Sequence, residues 1–151
     1  MTDQTKPRET FRDAFTVVLA AEFDGATDPP IVEYLDPTAA QQHSIVLQMI
    51  SGTNAAPSLG RRVTSTQKGM KETYRVQISV HNPNGCEAAE QEADRVEQAI
   101  TDALETPLRS TYGIFDVKKL VDTDQGPTDP GERMAHVILD YQASILTTKS
   151  D

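Results

Sequence analysis

The hydrophobic pattern is clearest between Tyr74 and Leu108, where a period of two gives way to a helical period. Apolar and polar residues alternate over residues 74–81, which predicts a strand with one buried face. The segment 82–85, Asn-Pro-Asn-Gly, predicts a turn, because proline fixes φ and glycine tolerates a positive φ. A helical stripe follows and predicts an amphipathic helix that packs on the strand; its members are Ala89, Ala93, Val96, Ile100 and Leu104.

The other side of this predicted helix is acidic. Six residues are expected to lie mostly on its solvated surface: Glu87, Glu90, Glu92, Asp94, Glu97 and Asp102. Glu92 and Arg95 stand three residues apart, a spacing that favours an ion pair along the helix. Pro107 is expected to end the helix, because its ring clashes with a helical residue before it.

Three elements are predicted ahead of this region. An apolar face between Pro7 and Glu22 predicts a first helix, with proline near its first turn. Residues 31–35 suit a short strand or an extended segment. The nearly continuous apolar run Ser44–Ile50 predicts a strand buried on both faces, central in a sheet.

Two β-hairpins complete the set. Alternating residues in 61–67 and 70–80 flank Lys68-Gly69, which is the predicted tip of a long first hairpin. Its outer half has few apolar residues, so we expect it to project beyond the sheet. The second hairpin joins strands at 114–121 and 133–146 through a loop at 122–132.

This order of elements predicts one α+β domain over residues 1–151. We expect a mainly antiparallel sheet of four to five strands, two helices packed against it, and a long projecting β-hairpin at 61–80. Residues 1–6 are polar and are expected to be disordered.

The composition argues against several classes of protein. The net charge is −9, from 23 acidic and 14 basic residues, which argues against a generally basic nucleic-acid-binding surface. The single cysteine, Cys86, cannot form an internal disulfide, and no Cys/His cluster predicts a metal site. No membrane span or signal peptide is predicted, so we expect synthesis in the cytoplasm. The abundance of acidic residues also suits a salt-loving host.

The exception to the acidic composition is a basic segment. Between residues 61 and 75 there is one acid, whereas the rest of the chain carries 9 basic and 22 acidic residues. The segment is a candidate partner-binding arm, which could meet an acidic neighbour or contact DNA phosphates without base reading. The alternative is that its charges guard a strand edge against uncontrolled pairing. Its basic residues are Arg61, Arg62, Lys68, Lys71 and Arg75.

Catalytic motifs are not evident. Cys86 stands at a predicted helix start, where the dipole favours negative charge, and His81 is the one base worth testing with it. None of the three histidines, His43, His81 and His136, has a neighbouring carboxylate or cysteine at ligand spacing in the sequence. We therefore expect no enzymatic activity, no cofactor and no bound metal.

The segment 122–132 resembles a calcium loop only superficially. Asp122, Asp124 and Glu132 are acidic, but Gly126 and Pro127 occupy positions where ligands belong. We reject an EF-hand, and a weak cation contact in this loop stays open.

The layout as a whole resembles that of the tail-terminator (tail-completion) proteins of long-tailed viruses. The resemblance runs from about residue 11 to residue 146 and rests on an amphipathic first helix followed by SIVLQMISG, TYRVQISV, EAAEQEADRVEQAITDAL and RMAHVILDYQASI. It implies a structural virion protein that forms a ring, expected to be hexameric. Such a ring ends the tail tube and joins it to the head-side connector. The implied partners are the tail tube protein, a neck or connector protein and DNA in the lumen.

Three other functions remain open at this point. A head-completion or neck protein of the same particle would share the composition and the ring symmetry. A small enzyme would use Cys86, and a nucleic-acid-binding module would bind duplex in a strongly salt-dependent way.

Overall fold

The computed structural model describes residues 7–32, 42–53, 67–125 and 134–150, with side chains for 7–32, 42–49, 72–123 and 134–145. The predictions for residues 1–6, 33–35, 61–66 and 126–132 lie outside these ranges. The elements are α1 (Pro7–Glu22), β1 (Ile31–Val32), β2 (Ser44–Thr53), β3 (Gln67–Asn82), α2 (Cys86–Asp102), a helical turn (Leu104–Arg109), β4 (Ile114–Gln125) and β5 (Ala135–Ser150).

The five strands form one sheet in the order β1-β2-β3-β5-β4. The two-residue β1 runs parallel to β2, and every other neighbouring pair is antiparallel. The predicted α+β class, with a mainly antiparallel sheet and helices packed against it, is confirmed. Because β3 lies in the middle of the order and pairs with β5 along its whole length, it is the central strand of the fold.

One face of the sheet carries the core. Tyr74, Val76, Ile78 and Val80 of β3 are buried, as their alternation predicted. Both helices pack on this face, and the rings of Phe11 and Phe15 on α1 contact each other at a tilt of 37°, with centroids 4.9 Å apart. The burial of each such side chain contributes about 1.5–3 kcal/mol to stability. The dry face of β3 therefore decides where both helices lie.

The stripe of α2 is confirmed over four residues and is wrong at the fifth. Ala89, Ala93, Val96 and Ile100 are buried, but Leu104 is 38% exposed. The reason is that α2 ends at Asp102, and the chain continues into the separate turn Leu104–Arg109, inside which Thr106 has a non-helical backbone. The break thus begins before Pro107, which is itself part of the turn.

The acidic side of α2 also differs from the prediction at two positions. Glu92 is buried, with 8% of its surface exposed, because it bonds to side chains outside the helix. Arg95 makes its ion pairs with Glu22 at 3.1 Å and Asp28 at 2.9 Å, and not with Glu92.

Arg95 joins the two helices. Its guanidinium binds the last residue of α1 and the turn that follows, and it lies 4.3 Å from the ring centroid of Phe23. The Asp28 carboxylate also accepts a bond from the Gly25 backbone N–H. The hydrogen bond from Arg95, and after it the bond from Gly25, hold the pKa of Asp28 below its ordinary value of 3.8. The bond to Asp28 in turn raises the pKa of Arg95.

The predicted hairpin tip is wrong. Lys68 and Gly69 lie inside β3, where they pair with Lys149 and Thr148 of β5. The chain continues straight because β5 supplies a backbone partner at each of these positions, so the glycine is not needed for a turn. The strand that projects beyond the sheet is therefore partnered by β5.

The second predicted hairpin is confirmed as the antiparallel pair β4 and β5, with changed boundaries: β4 continues past residue 121 to Gln125, and β5 continues past residue 146 to Ser150. Residues 122–125, predicted to open the loop, are the end of β4, where Asp122 pairs with Leu139 and Gln125 with His136. Strand pairing overrides the weak strand propensity of the aspartates here.

Replacing Val96 by Asp is expected to unfold the domain or to lower its free energy of unfolding by several kcal/mol, because a charge would be buried without a partner. The matched control is Gln91→Asp, on the exposed side of the same helix. Chemical denaturation of both variants checks this. A cooperatively folded Val96→Asp protein of wild-type stability would contradict the packing.

Replacing Asp28 by Asn is expected to destabilise the protein at neutral pH, with a difference from wild type that closes in acid. Since the folded-state pKa of Asp28 is depressed, its contribution is fully present above 3.8 and is lost as pH falls through the lower folded-state value. Thermal melts of wild type, Asp28→Asn and the exposed control Asp24→Asn across this pH range measure it. A difference that stays constant through the acid range would contradict the ion pair.

Candidate assembly surface

A two-stranded ribbon extends beyond the rest of the sheet. Residues 67–71 of β3 pair with residues 146–150 of β5. Among the described residues, β2 reaches only as far as the Thr53–Thr73 pair, and β4 begins only at the Ile114–Ile145 pair. Both outer edges of the ribbon are therefore without a strand neighbour in that part of the chain.

The ribbon carries part of the basic segment. Lys68 lies directly opposite Lys149 in the register, and Lys71 follows three residues later. The ribbon sequence contains three lysines and no acidic residue. Arg61 and Arg62 lie outside the described residues.

The base of the ribbon is fixed to the body. The hydroxyl groups of Thr73 and Ser144 share a hydrogen bond of 3.1 Å across the two strands. The ring of Tyr74 lies 5.5 Å from that of Phe11 and 5.8 Å from the guanidinium of Arg8, both on α1. Burial, and then a hydrogen bond donated to the Glu72 carboxylate, raises the pKa of Tyr74 to about 12.

Arg75, the last residue assigned to the arm, contacts its own chain. Its Nη2 donates to Asp140 Oδ2 at 2.9 Å, and the Asp140 side chain is only 10% exposed. The pair is diagonal across β3 and β5, since Arg75 stands opposite Gln142. Arg75 therefore stabilises the strand pair below the ribbon, while its assigned role in partner binding stays a prediction.

The structure brings together a polar cluster that the sequence did not reveal. His43 Nε2 lies 2.7 and 2.9 Å from the two carboxylate oxygens of Glu92, and Asn82 Nδ2 donates to the same carboxylate. The Asn82 Oδ1 atom accepts from the backbone N–H of Asn84 in the turn before α2. These three residues are far apart in the sequence, and only the buried position of Glu92 within the helical period could have drawn attention to it.

This cluster has a structural role. It connects the residue before β2, the end of β3 and the middle of α2, so it fixes where the helix lies along the sheet. Each carboxylate oxygen of Glu92 has a side-chain partner, so neither is left without a hydrogen bond in this buried position.

Cys86 and His81 are arranged unfavourably for a catalytic pair. Cys86 is exposed at the first residue of α2, which packs on the core face of the sheet. His81 alternates with the core residue Val80, so it belongs to the other face, where its ring centroid lies 4.4 Å from that of His136.

A third ionic contact holds the edge strand to α2. Lys119 Nζ on β4 donates to Glu97 of α2 and, at 3.0 Å, to Asp122 of its own strand. Both bonds raise the pKa of Lys119, and the bond to Glu97 has the larger effect. Burial raises the pKa of the neighbouring Tyr141, which stands opposite Lys119 in the register.

Within the described ranges no group of three or more His, Cys, Asp or Glu side chains is arranged to hold a metal ion. No described helix is both long enough and apolar enough to cross a membrane.

The known proteins that this chain can be compared with do not indicate its function. No family model matches the chain, and no curated protein matches it. Among solved structures, 38 chains match. One of these shares 16% sequence identity, covers 90% of this chain and 94% of its own, and superposes with a TM-score of 0.44. A similarity this weak says nothing about function or partners.

Replacing Glu92 by Ala is expected to lower the free energy of unfolding by about 1–3 kcal/mol, because the Asn82 amide and the His43 ring lose their shared acceptor. Glu92→Gln should cost less, since an amide oxygen still accepts. Gln91→Ala, on the exposed side of the same turn, is the control. Equal stabilities for Glu92→Ala and Gln91→Ala, measured by urea denaturation, would show that the cluster does not stabilise the fold.

Proposed function

We propose that this chain is a structural virion protein that forms a closed ring, ends the tail tube of a long-tailed virus and joins it to the head-side connector. The proposed ring is a hexamer. It acts in the tail or neck of the particle after synthesis in the host cytoplasm, and it performs no catalysis. Its partners are further copies of the chain, the tail tube protein and the connector.

The observation that carries this proposal is the ribbon of residues 67–71 and 146–150. Ten residues are held in strand geometry past the last pairs of β2 and β4 in the described structure. Exposed strand edges are a liability for a monomeric protein, and a partner that covers them removes it. The fixed base at Thr73, Tyr74 and Arg75 supports a rigid ribbon that can be inserted into a neighbour.

The charge distribution supports the same proposal. The segment 61–75 is basic, while the rest of the chain carries 22 acidic residues against 9 basic ones. Opposite charges on separate parts of identical copies favour head-to-tail contacts and disfavour contacts between like surfaces. The same basic ribbon could contact DNA phosphates in the lumen of the ring without reading bases.

A head-completion or neck protein is the alternative within the same particle. It would form a ring by the same means but would bind a different neighbour. Electron microscopy of the purified protein and of intact particles, with the protein labelled, tests both. Rings at the head-proximal end of the tail tube are expected; rings attached to heads without tails would favour the alternative, and particles that lack the protein would overturn both.

Reversing Lys68 and Lys71 to Glu, with or without Arg61 and Arg62, is expected to leave the domain folded and to weaken ring formation or tail joining. The folding part of this prediction follows from the register, because Lys68→Glu places a negative charge opposite Lys149. Ring formation is measured by sedimentation, and folding by circular dichroism.

The control compares single reversals of equal charge, Lys68→Glu in the ribbon and Arg109→Glu on the exposed surface of the body. Arg109→Glu should assemble better than Lys68→Glu at the same ionic strength. Equal assembly of the two single variants would count against a role of the ribbon charges.

A further inference from the structure

Four large hydrophobic side chains of the described structure are exposed. Val17 is 47% exposed and Leu104 is 38% exposed, and both lie on the helix layer. Leu120 and Val121 are 44% and 37% exposed, and both lie on the edge strand β4. Val17 marks a first patch because it lines a groove, and the chain neighbours Leu120 and Val121 mark a second; each is apolar surface that a partner can cover.

The first patch borders a groove between the two helices. The groove has a volume of about 250 Å³ and is lined by Val17 and Ala21 of α1, by Ala99 and Asp102 of α2, and by Ala103. Small side chains on both helices leave room between them, which is why a groove exists where the helices would otherwise close. The carboxylate residues Glu22 and Asp102 lie at its exposed rim.

The second patch is a knob formed by Lys118, Leu120 and Val121. Lys119 pairs with Tyr141 and Val121 with Asp140, so Leu120 is the extra residue of a β-bulge and has no opposite residue. A bulge redirects a side chain away from the sheet, and here that side chain is a leucine. Lys118 next to it is exposed and has no ion-pair partner in the described part of the chain.

The bulges also restrict how β4 can bind a partner. A second irregularity lies between Phe115 and Lys118, where Asp116 has a positive φ of 54°. An edge strand interrupted twice is a poor template for adding another strand. The β4 edge therefore offers side chains for contact, in contrast to the ribbon, which offers backbone.

We propose that the knob of one copy of this chain occupies the helix groove of the next copy. The charges agree with this pairing, because Lys118 flanks the apolar knob and the Asp102 carboxylate flanks the apolar groove. The second carboxylate at the groove, Glu22, is already paired with Arg95 of its own chain. The proposal rests on the ring function proposed above and identifies one of its subunit contacts.

The two surfaces belong to different parts of the molecule. The groove faces outward from the helix layer, while the knob is on the lateral edge of the sheet. Such a contact is heterologous: each copy offers its knob to one neighbour and its groove to another. Heterologous contacts close into a ring when the rotation between copies allows it.

The test uses the full chain and two single variants, Val17→Glu in the groove and Leu120→Glu in the knob. Each variant should weaken self-association about tenfold or more, as the loss of a central apolar contact does. A mixture of the two should form a one-to-one dimer, because the intact knob of Val17→Glu fits the intact groove of Leu120→Glu. Sedimentation velocity and mass photometry measure the species.

Two matched controls introduce the same charge beside each patch. Ala20→Glu lies on the exposed side of α1 outside the groove lining, and Thr123→Glu lies further along β4. Both should associate like wild type. Circular dichroism and thermal melts of all four variants confirm that each is folded.

The outcomes distinguish a failure of this contact from a failure of the proposed function. Variants that are monomeric alone and dimeric when mixed support the contact between knob and groove. If the wild type forms rings and both groove and knob variants form them equally well, the contact is wrong and the ring function stands. A wild type that remains monomeric at every concentration overturns the contact, while the presence of a ring in the particle is read independently by microscopy.

Discussion

The dry face of β3 is the constraint on which the rest of this structure depends. Its apolar side chains are buried along the strand, and both helices, β2 and β5 are placed by contact with it. Because the side-chain period of a strand is two, a shift of one residue would turn every one of these side chains to the other face. The register between β3 and β5 is therefore fixed by the core, and the ribbon beyond the core inherits that register.

Polar contacts complete what the core begins. Packing on the dry face sets where the helices lie, and directional polar bonds add to it at single points. Arg95 ties α2 to the turn after α1, and Glu92 ties it to the end of β3. An acidic helix face in this chain thus includes residues that determine the arrangement of the fold.

The sequence predicted the strands, both helices and the fold class, because local periodicity reflects burial on one face. It failed where the deciding partner is distant along the chain. The sequence predicts a turn at Lys68-Gly69, but these residues pair with β5. It also predicts a solvated Glu92, but this carboxylate bonds to His43. The bulge at Leu120 is equally hidden, since it is defined by the spacing of residues on the opposite strand.

The ribbon joins segments that are distant in sequence. At its base, Thr73 and Ser144 are 71 residues apart along the chain, so pairing the two strands closes a long loop and pays its entropy. A nascent chain therefore exposes no finished ribbon until β5 has been synthesised and docked. In the proposed ring, completion of the monomer would thus precede any contact that a neighbour makes with the ribbon, and incomplete copies would be kept out of the assembly.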